Sequence, residues 1–322
     1  MFGKLPYKTK QFFFVLIKLS IVVGAFYFIY QKLTTNENLD FDVFVLFLKE
    51  HHVFSTKNII ILLFLTSLNW CFEIMKWQNL VSVVKNISFF EALKQSLASL
   101  TASLFTPNRV GEYGVKAVCF SKGFRKRILL LNLLSNITQM SATLLFGIVG
   151  FTIFYLKYNT TISLYKIARF IVLLFVVAGF VLLGRKYSKF QIRGFSLEKI
   201  INFLLEIPKS IHAKNIILSI LRYLVFSFQF YCLLKIFGVD FYYFNAMLVI
   251  SSMYLISSII PTILILDVVV KGSVALFLFG IVGVNTHTIL CIVTLMWILN
   301  FAIPSIIGSA YLLKYNYKEI KL

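Results

Sequence analysis

Residues 103–120 read "SLFTPNRVGEYGVKAVCF" and place Pro107, Arg109, Glu112 and Lys116 between two apolar stretches. About ten apolar or small residues precede Pro107, half of the ~20 a helix needs to cross the hydrocarbon core. The arm that follows, Val110 to Phe120, is equally short and ends at the basic cluster Lys122 to Arg127. Ser88 and Glu91 open the first arm with the S-x-x-E pattern of a capping box. The economical geometry is a re-entrant pair over 88–121, with two half-helices that enter from one side, meet near the middle and leave by the same side.

The surrounding chain sets this reading in a membrane. Hydrophobic residues make up 59% of it, 35 residues are Phe, and the mean hydropathy is +0.87, far from the balance of a soluble globular domain. Runs long enough to span occur at 11–30, 58–80, 128–156, 165–183, 215–237 and 288–313. The first follows Lys4, Lys8 and Lys10 as a signal peptide would, but it is too long and lacks a small-x-small cleavage site, so it is expected to stay as an anchor. The predicted fold is an all-α integral membrane protein with about six transmembrane helices and two re-entrant helical hairpins, forming a single membrane domain over 1–322.

A net charge of +20 could suggest nucleic acid, yet the basic residues are spread by loop rather than gathered with stacking aromatics. With the N-terminus inside, 19 of the 32 basic residues fall in cytoplasmic flanks, which predicts both termini in the cytoplasm. Anionic lipid of the inner leaflet is the natural counter-charge, and no nucleic-acid partner is expected. Within the loop 184–214, Leu197, Ile200, Ile201, Leu204 and Leu205 recur at helical spacing before Pro208, predicting an amphipathic helix on the inner surface. The four cysteines stand singly in or beside apolar segments, and the histidines show no ligand spacing, so neither a disulfide framework nor a metal site is expected.

The plan of 88–121 recurs over 241–284, where a stretch rich in small and aromatic residues breaks at Pro261 and is followed by Asp267 and Lys271. Both arms carry an acid four residues before a base. After the intervening crossings the second hairpin opens outward, so the two are predicted to be inverted repeats with breaks near the midplane, a construction common in transporters. Charged residues at that depth cost several kcal/mol each and face a pathway or pair with one another. Glu112 and Lys116 therefore either neutralise each other on one helix face or line a polar cavity for a charged head group.

Other intramembrane polar residues extend the candidate pathway. Asn132, Asn136 and Gln139 form one stripe with Ser135 beside it, suited to interhelical hydrogen bonding or to cavity lining. Arg222 and Gln229 share a face, with snorkelling to the inner surface as the plainer reading of Arg222. Glu73, beside Asn69 and Lys76, reads as a structural partner of Lys76 rather than a functional acid.

"SLFTPNRVGEYGVKA", followed by a basic turn, and "SSIIPTILILDVVVKGSVALFLFGIVGVN" at 257–285 resemble the two signature regions of the lysylphosphatidylglycerol synthase transmembrane-region family. The resemblance covers nearly the whole chain, although its motifs are loose. It implies inverted re-entrant hairpins and movement of aminoacylated or glycosylated lipids between leaflets. Pro107, Arg109, Gly111 and Glu112 match the first motif, and Pro261, Asp267 and Lys271 the second. "ILIL" replaces the glycines usual before the second acid, and Asp267 stands where Glu is common. The chain stops at Leu322 without an aminoacyl-transfer domain, so lysine transfer to lipid is not expected from it.

The function so implied is that of a lipid flippase or transporter in a plasma membrane of the bacterial inner-membrane type, acting on phospholipid or polyprenyl-linked lipid without a cofactor. Homo-oligomerisation and a separate lipid-modifying enzyme as partner are both compatible with it. No G-x-x-x-x-G-K-[ST] loop is present, so movement would be passive or ion-coupled. Two alternatives stand beside it. Glu37, Asp40 and Asp42 of the first outer loop could serve a membrane glycosyltransferase using a lipid-phosphate donor, and a membrane scaffold would move nothing.

Overall fold

The computed structural model describes residues 46, 48–50, 53–104, 106, 109–158, 191–192, 195–259 and 267–314. The expected spans 11–30 and 165–183, the acids Glu37, Asp40 and Asp42, and the breaks at Pro107 and Pro261 lie outside them. The described chain is helical apart from a two-residue antiparallel pairing of β1 (Gln191–Ile192) with β2 (Phe195–Ser196). Among the described residues four helices are long and apolar enough to cross a bilayer, in agreement with four of the six expected spans.

The first, α1 (Thr56–Val81), starts where Ser55 accepts a hydrogen bond from the Asn58 N–H. Helix α2 (Phe89–Ser103) starts with the expected capping box, the Glu91 N–H donating to Ser88 Oγ at 3.2 Å and the Ser88 N–H to Glu91 Oε2 at 3.1 Å. It stops after 15 residues, and the nine-residue α3 (Val110–Val118) follows across the break. The next span, α4 (Arg125–Tyr158), has 34 residues, roughly 51 Å at 1.5 Å per residue, so it outreaches the ~30 Å hydrocarbon core. Helix α5 (Leu197–Glu206) is the amphipathic segment, and Pro208, which cannot donate to a preceding turn, heads α6 (Lys209–Ile236).

A second broken pair, α7 (Tyr243–Ile259) and α8 (Asp267–Ile281), follows α6. Both α6 and α8 end on a glycine at positive φ, Gly238 and Gly283, where the reversal brings the Val239 N–H to Leu234 O and the Val284 N–H to Phe279 O. The last span runs through α9 (Thr286–Trp297), a π-helical turn (Ile298–Ala302) and α10 (Ile303–Lys314).

Packing is reciprocal between the two halves. The helices that precede the broken pairs, α1 and α6, pack on each other. The opening helix of the first pair, α2, packs on α10, which follows the second pair; the opening helix of the second pair, α7, packs on α4, which follows the first. Glycine makes both exchanged contacts close. A Cβ at Gly308 of α10 would overlap the Leu97 carbonyl of α2, and one at Gly150 of α4 would overlap the Ser251 hydroxyl of α7. Small residues at helix crossings are the usual means of close approach in lipid, where the apolar solvent supplies no hydrophobic drive between helices. Large apolar side chains such as Phe64, Leu145 and Val149 face outward.

Candidate functional site

The first motif folds as a tight return of α3 onto α2. Gly111 sits so close to the Ala102 carbonyl that a Cβ would overlap it, and its N–H donates to Thr106 Oγ1 at 2.7 Å. Arg109 leads into α3 in the left-handed region at φ 59°, a conformation that costs an L-residue roughly 1–2 kcal/mol. That reversal turns Glu112 and Lys116, four residues apart on one face of α3, into the interior, where they are 3% and 1% exposed.

The carboxylate and the ammonium meet there. Lys116 Nζ donates to Glu112 Oε1 at 2.8 Å and to Asn132 Oδ1 of α4 at 2.8 Å, and it lies 4.3 Å from the centre of the Trp77 ring. Arg109 Nε approaches the other carboxylate oxygen at 3.3 Å. The expected i,i+4 pair is therefore present, and so is a second cluster beside it. Glu73 Oε2 receives both Lys76 Nζ at 2.9 Å and Arg222 at 2.7 Å. Arg222 thus turns inward to α1 rather than snorkelling to the inner surface; a carboxylate already buried on the facing helix is a better partner than distant lipid phosphate.

Both clusters open on one small cavity lined by Glu73, Arg109, Glu112, Lys116 and Arg222 together with Trp70, Ser96, Ser99 and Leu100. With Lys76, which bonds Glu73, four cations meet two carboxylates around this space among the described residues. The polar stripe of α4 supports it from behind. Asn132 holds Lys116, Gln139 accepts from Lys76 Nζ at 3.2 Å and donates to Ser219 O, and Asn136 donates to Tyr113 Oη at 3.1 Å. The stripe works by interhelical hydrogen bonding, and none of its three members lines the cavity.

Of the second motif, the Lys271 side chain is described and Pro261 lies outside the described residues. Asp267 is the first residue of α8, and Lys271 one turn later reaches a different small cavity, walled by Phe226, Phe230, Tyr254, Trp297 and Phe301. Its ammonium lies 5.4 Å from the Phe301 ring centre and 6.0 Å from that of Phe226. Lys271 and the Glu112–Lys116 pair therefore line different cavities. Glu73, Lys76 and the serines of α2 belong to the polar site although the sequence reading left them out; the signal available was the i,i+3 acid and base set deep within an apolar run.

The sequence matches the family described as lysylphosphatidylglycerol synthase TM region over residues 15–308, nearly its full length. The chain belongs to that family. Comparison with curated proteins and with solved structures returned no match. Membership of the lysylphosphatidylglycerol synthase TM region family ties the chain to membrane-lipid modification or transport, and the match runs through both broken helix pairs and the polar cavity between α1, α2, α3 and α6.

Proposed function

We propose that this protein moves a lipid with a charged or modified head group, aminoacyl or glycosyl, between membrane leaflets. The head group would pass by the polar cavity while the acyl chains stay in hydrocarbon. The observation that carries this reading is the charge lining the cavity, where the described residues set Arg109, Lys116 and Arg222 against Glu73 and Glu112 inside a helical bundle. A buried charge without compensation is costly, and a lipid phosphate meeting Arg109, Arg222 and Lys116 would supply the missing negative charge through charge-assisted hydrogen bonds. Glu112 and Glu73 are placed to receive an amine on the same head group.

On this reading 1–322 is one membrane domain, and the pairs α2/α3 and α7/α8 are re-entrant hairpins of inverted sense. The reciprocal packing of α2 on α10 and α7 on α4 supports a repeat, since a two-fold-related pair of units exchanges equivalent contacts. Non-helical backbone at the two breaks would be tolerated at depth because protein and a hydrated cavity surround it. The distribution of basic residues favours cytoplasmic termini in a plasma membrane of the bacterial inner-membrane type.

Native mass spectrometry of the protein released from membranes tests the recognition step. Wild type is expected to retain anionic phospholipid, and Arg109→Gln/Arg222→Gln to retain several-fold less. Equal retention by the two would remove the phosphate assignment.

A further inference from the structure

Between Trp297 and Ile303 the last span leaves the α-helical register. The Ile303 N–H reaches back five residues to Ile298 O, and Ile298–Ala302 form a π turn. Pro304 accounts for it: proline has no N–H to give the carbonyl four residues earlier, and its ring crowds that carbonyl, which is Asn300's. The Asn300 carbonyl accepts instead from the Trp70 indole Nε1 of α1 at 3.2 Å.

The Asn300 side chain holds the turn from three directions. Its Oδ1 accepts from Asn69 Nδ2 at 2.9 Å, and its Nδ2 donates to Gln229 Oε1 of α6 at 2.9 Å and to Met296 O at 3.1 Å. Gln229 is fixed in turn by donating to Thr66 Oγ1 at 2.8 Å. Asn300 is 2% exposed, so these bonds are made in a dry interior where a satisfied network is rigid and a broken one is expensive.

The location gives the turn a consequence beyond packing. Trp70, which caps its carbonyl, lines the polar cavity, and Phe301, inside it, lines the aromatic cavity 5.4 Å from Lys271. One π turn therefore touches a wall residue of each space.

We propose that Pro304 and Asn300 are positioning residues: Pro304 releases the Asn300 carbonyl, the Asn300 amide anchors the turn to α1 and α6, and together they set Trp70 in the wall of the polar cavity and Phe301 in the wall of the aromatic one. The functional meaning rests on the polar cavity being the head-group route, whereas the geometry is tested without transport.

The chain has three tryptophans, so 15N-Trp labelling of the full chain in lipid nanodiscs gives three indole signals, with Trp70 assigned by Trp70→Phe. Pro304→Ala restores the missing N–H, which reclaims the Asn300 carbonyl. The Trp70 indole signal is then expected to move and its exchange protection to fall about tenfold, the order of one net hydrogen bond, while Trp77 stays in place as the internal control. Asn300→Leu is expected to move the same signal by loosening the turn, with Gln229→Leu in its place should that variant not fold.

Head-group translocation in proteoliposomes is expected to slow several-fold in Pro304→Ala. A stationary Trp70 signal in folded Pro304→Ala, or a moved signal with unchanged translocation, overturns the positioning role. A moved signal together with no lipid movement by wild type would leave the geometry standing and remove the transport reading alone.

Discussion

Arg222 and Glu73, 149 residues apart in sequence, meet at 2.7 Å inside the bundle and join α6 to α1. The same Glu73 oxygen also takes Lys76 at 2.9 Å, so one carboxylate balances two cations. Glu73→Gln should therefore cost more than loss of either base, because it leaves the buried Lys76 and the half-buried Arg222 facing each other. A loss of roughly 3–5 kcal/mol is expected, the range for removing one partner of a buried pair. Arg222→Gln should cost less, since Lys76 remains on Glu73. Thermal unfolding of the purified proteins in one detergent checks the order.

The Glu112 and Lys116 pair is asymmetric in a testable way. After Glu112→Gln the ammonium keeps Asn132 at 2.8 Å and the Trp77 ring at 4.3 Å, and a loss of about 1–3 kcal/mol is expected. Lys116→Met instead strands a carboxylate whose remaining cation, Arg109, is one-third exposed, with an expected loss of roughly 3–5 kcal/mol. Equal unfolding midpoints for the two variants would contradict the geometry.

Two glycines of α3 should respond in opposite directions. Gly111→Ala drives a methyl into the Ala102 carbonyl and is expected to destabilise by about 1–3 kcal/mol, as overpacking does. Gly114→Ala meets nothing within 4 Å and is expected to stabilise by roughly 0.5–1 kcal/mol, the helix preference of alanine over glycine. Paired unfolding curves of the two variants read the difference directly.

Much of the architecture was legible because membrane helices obey length rules. The apolar runs 58–80, 128–156, 215–237 and 288–313 became α1, α4, α6 and the α9–α10 span, and the stretches 88–121 and 241–284 hold shorter helices. The Glu112 and Lys116 contact was legible for the same kind of reason, since residues four apart on a helix are neighbours. The partner of Arg222 was not. Its seven-residue spacing to Gln229 identified a shared face, and both do face α1, but periodicity cannot say which helix lies opposite or that Glu73 waits there. The separation of Lys271 from Glu112 was hidden likewise, because matching acid and base spacing in two arms does not say which space each one faces. The π turn had a single local sign, Pro304 within an apolar run.

Translocation of fluorescent lipids in proteoliposomes tests the central claim most directly, with phosphatidylglycerol, its aminoacyl form and a polyprenyl-phosphate sugar compared for wild type, Glu112→Gln/Asp267→Asn and Arg222→Gln. Head-group-selective movement by wild type, lost in the double variant and reduced at least several-fold in Arg222→Gln, is the expected result. Movement no faster than in empty vesicles for every lipid, or full activity in the variants, would contradict a head-group route past these charges.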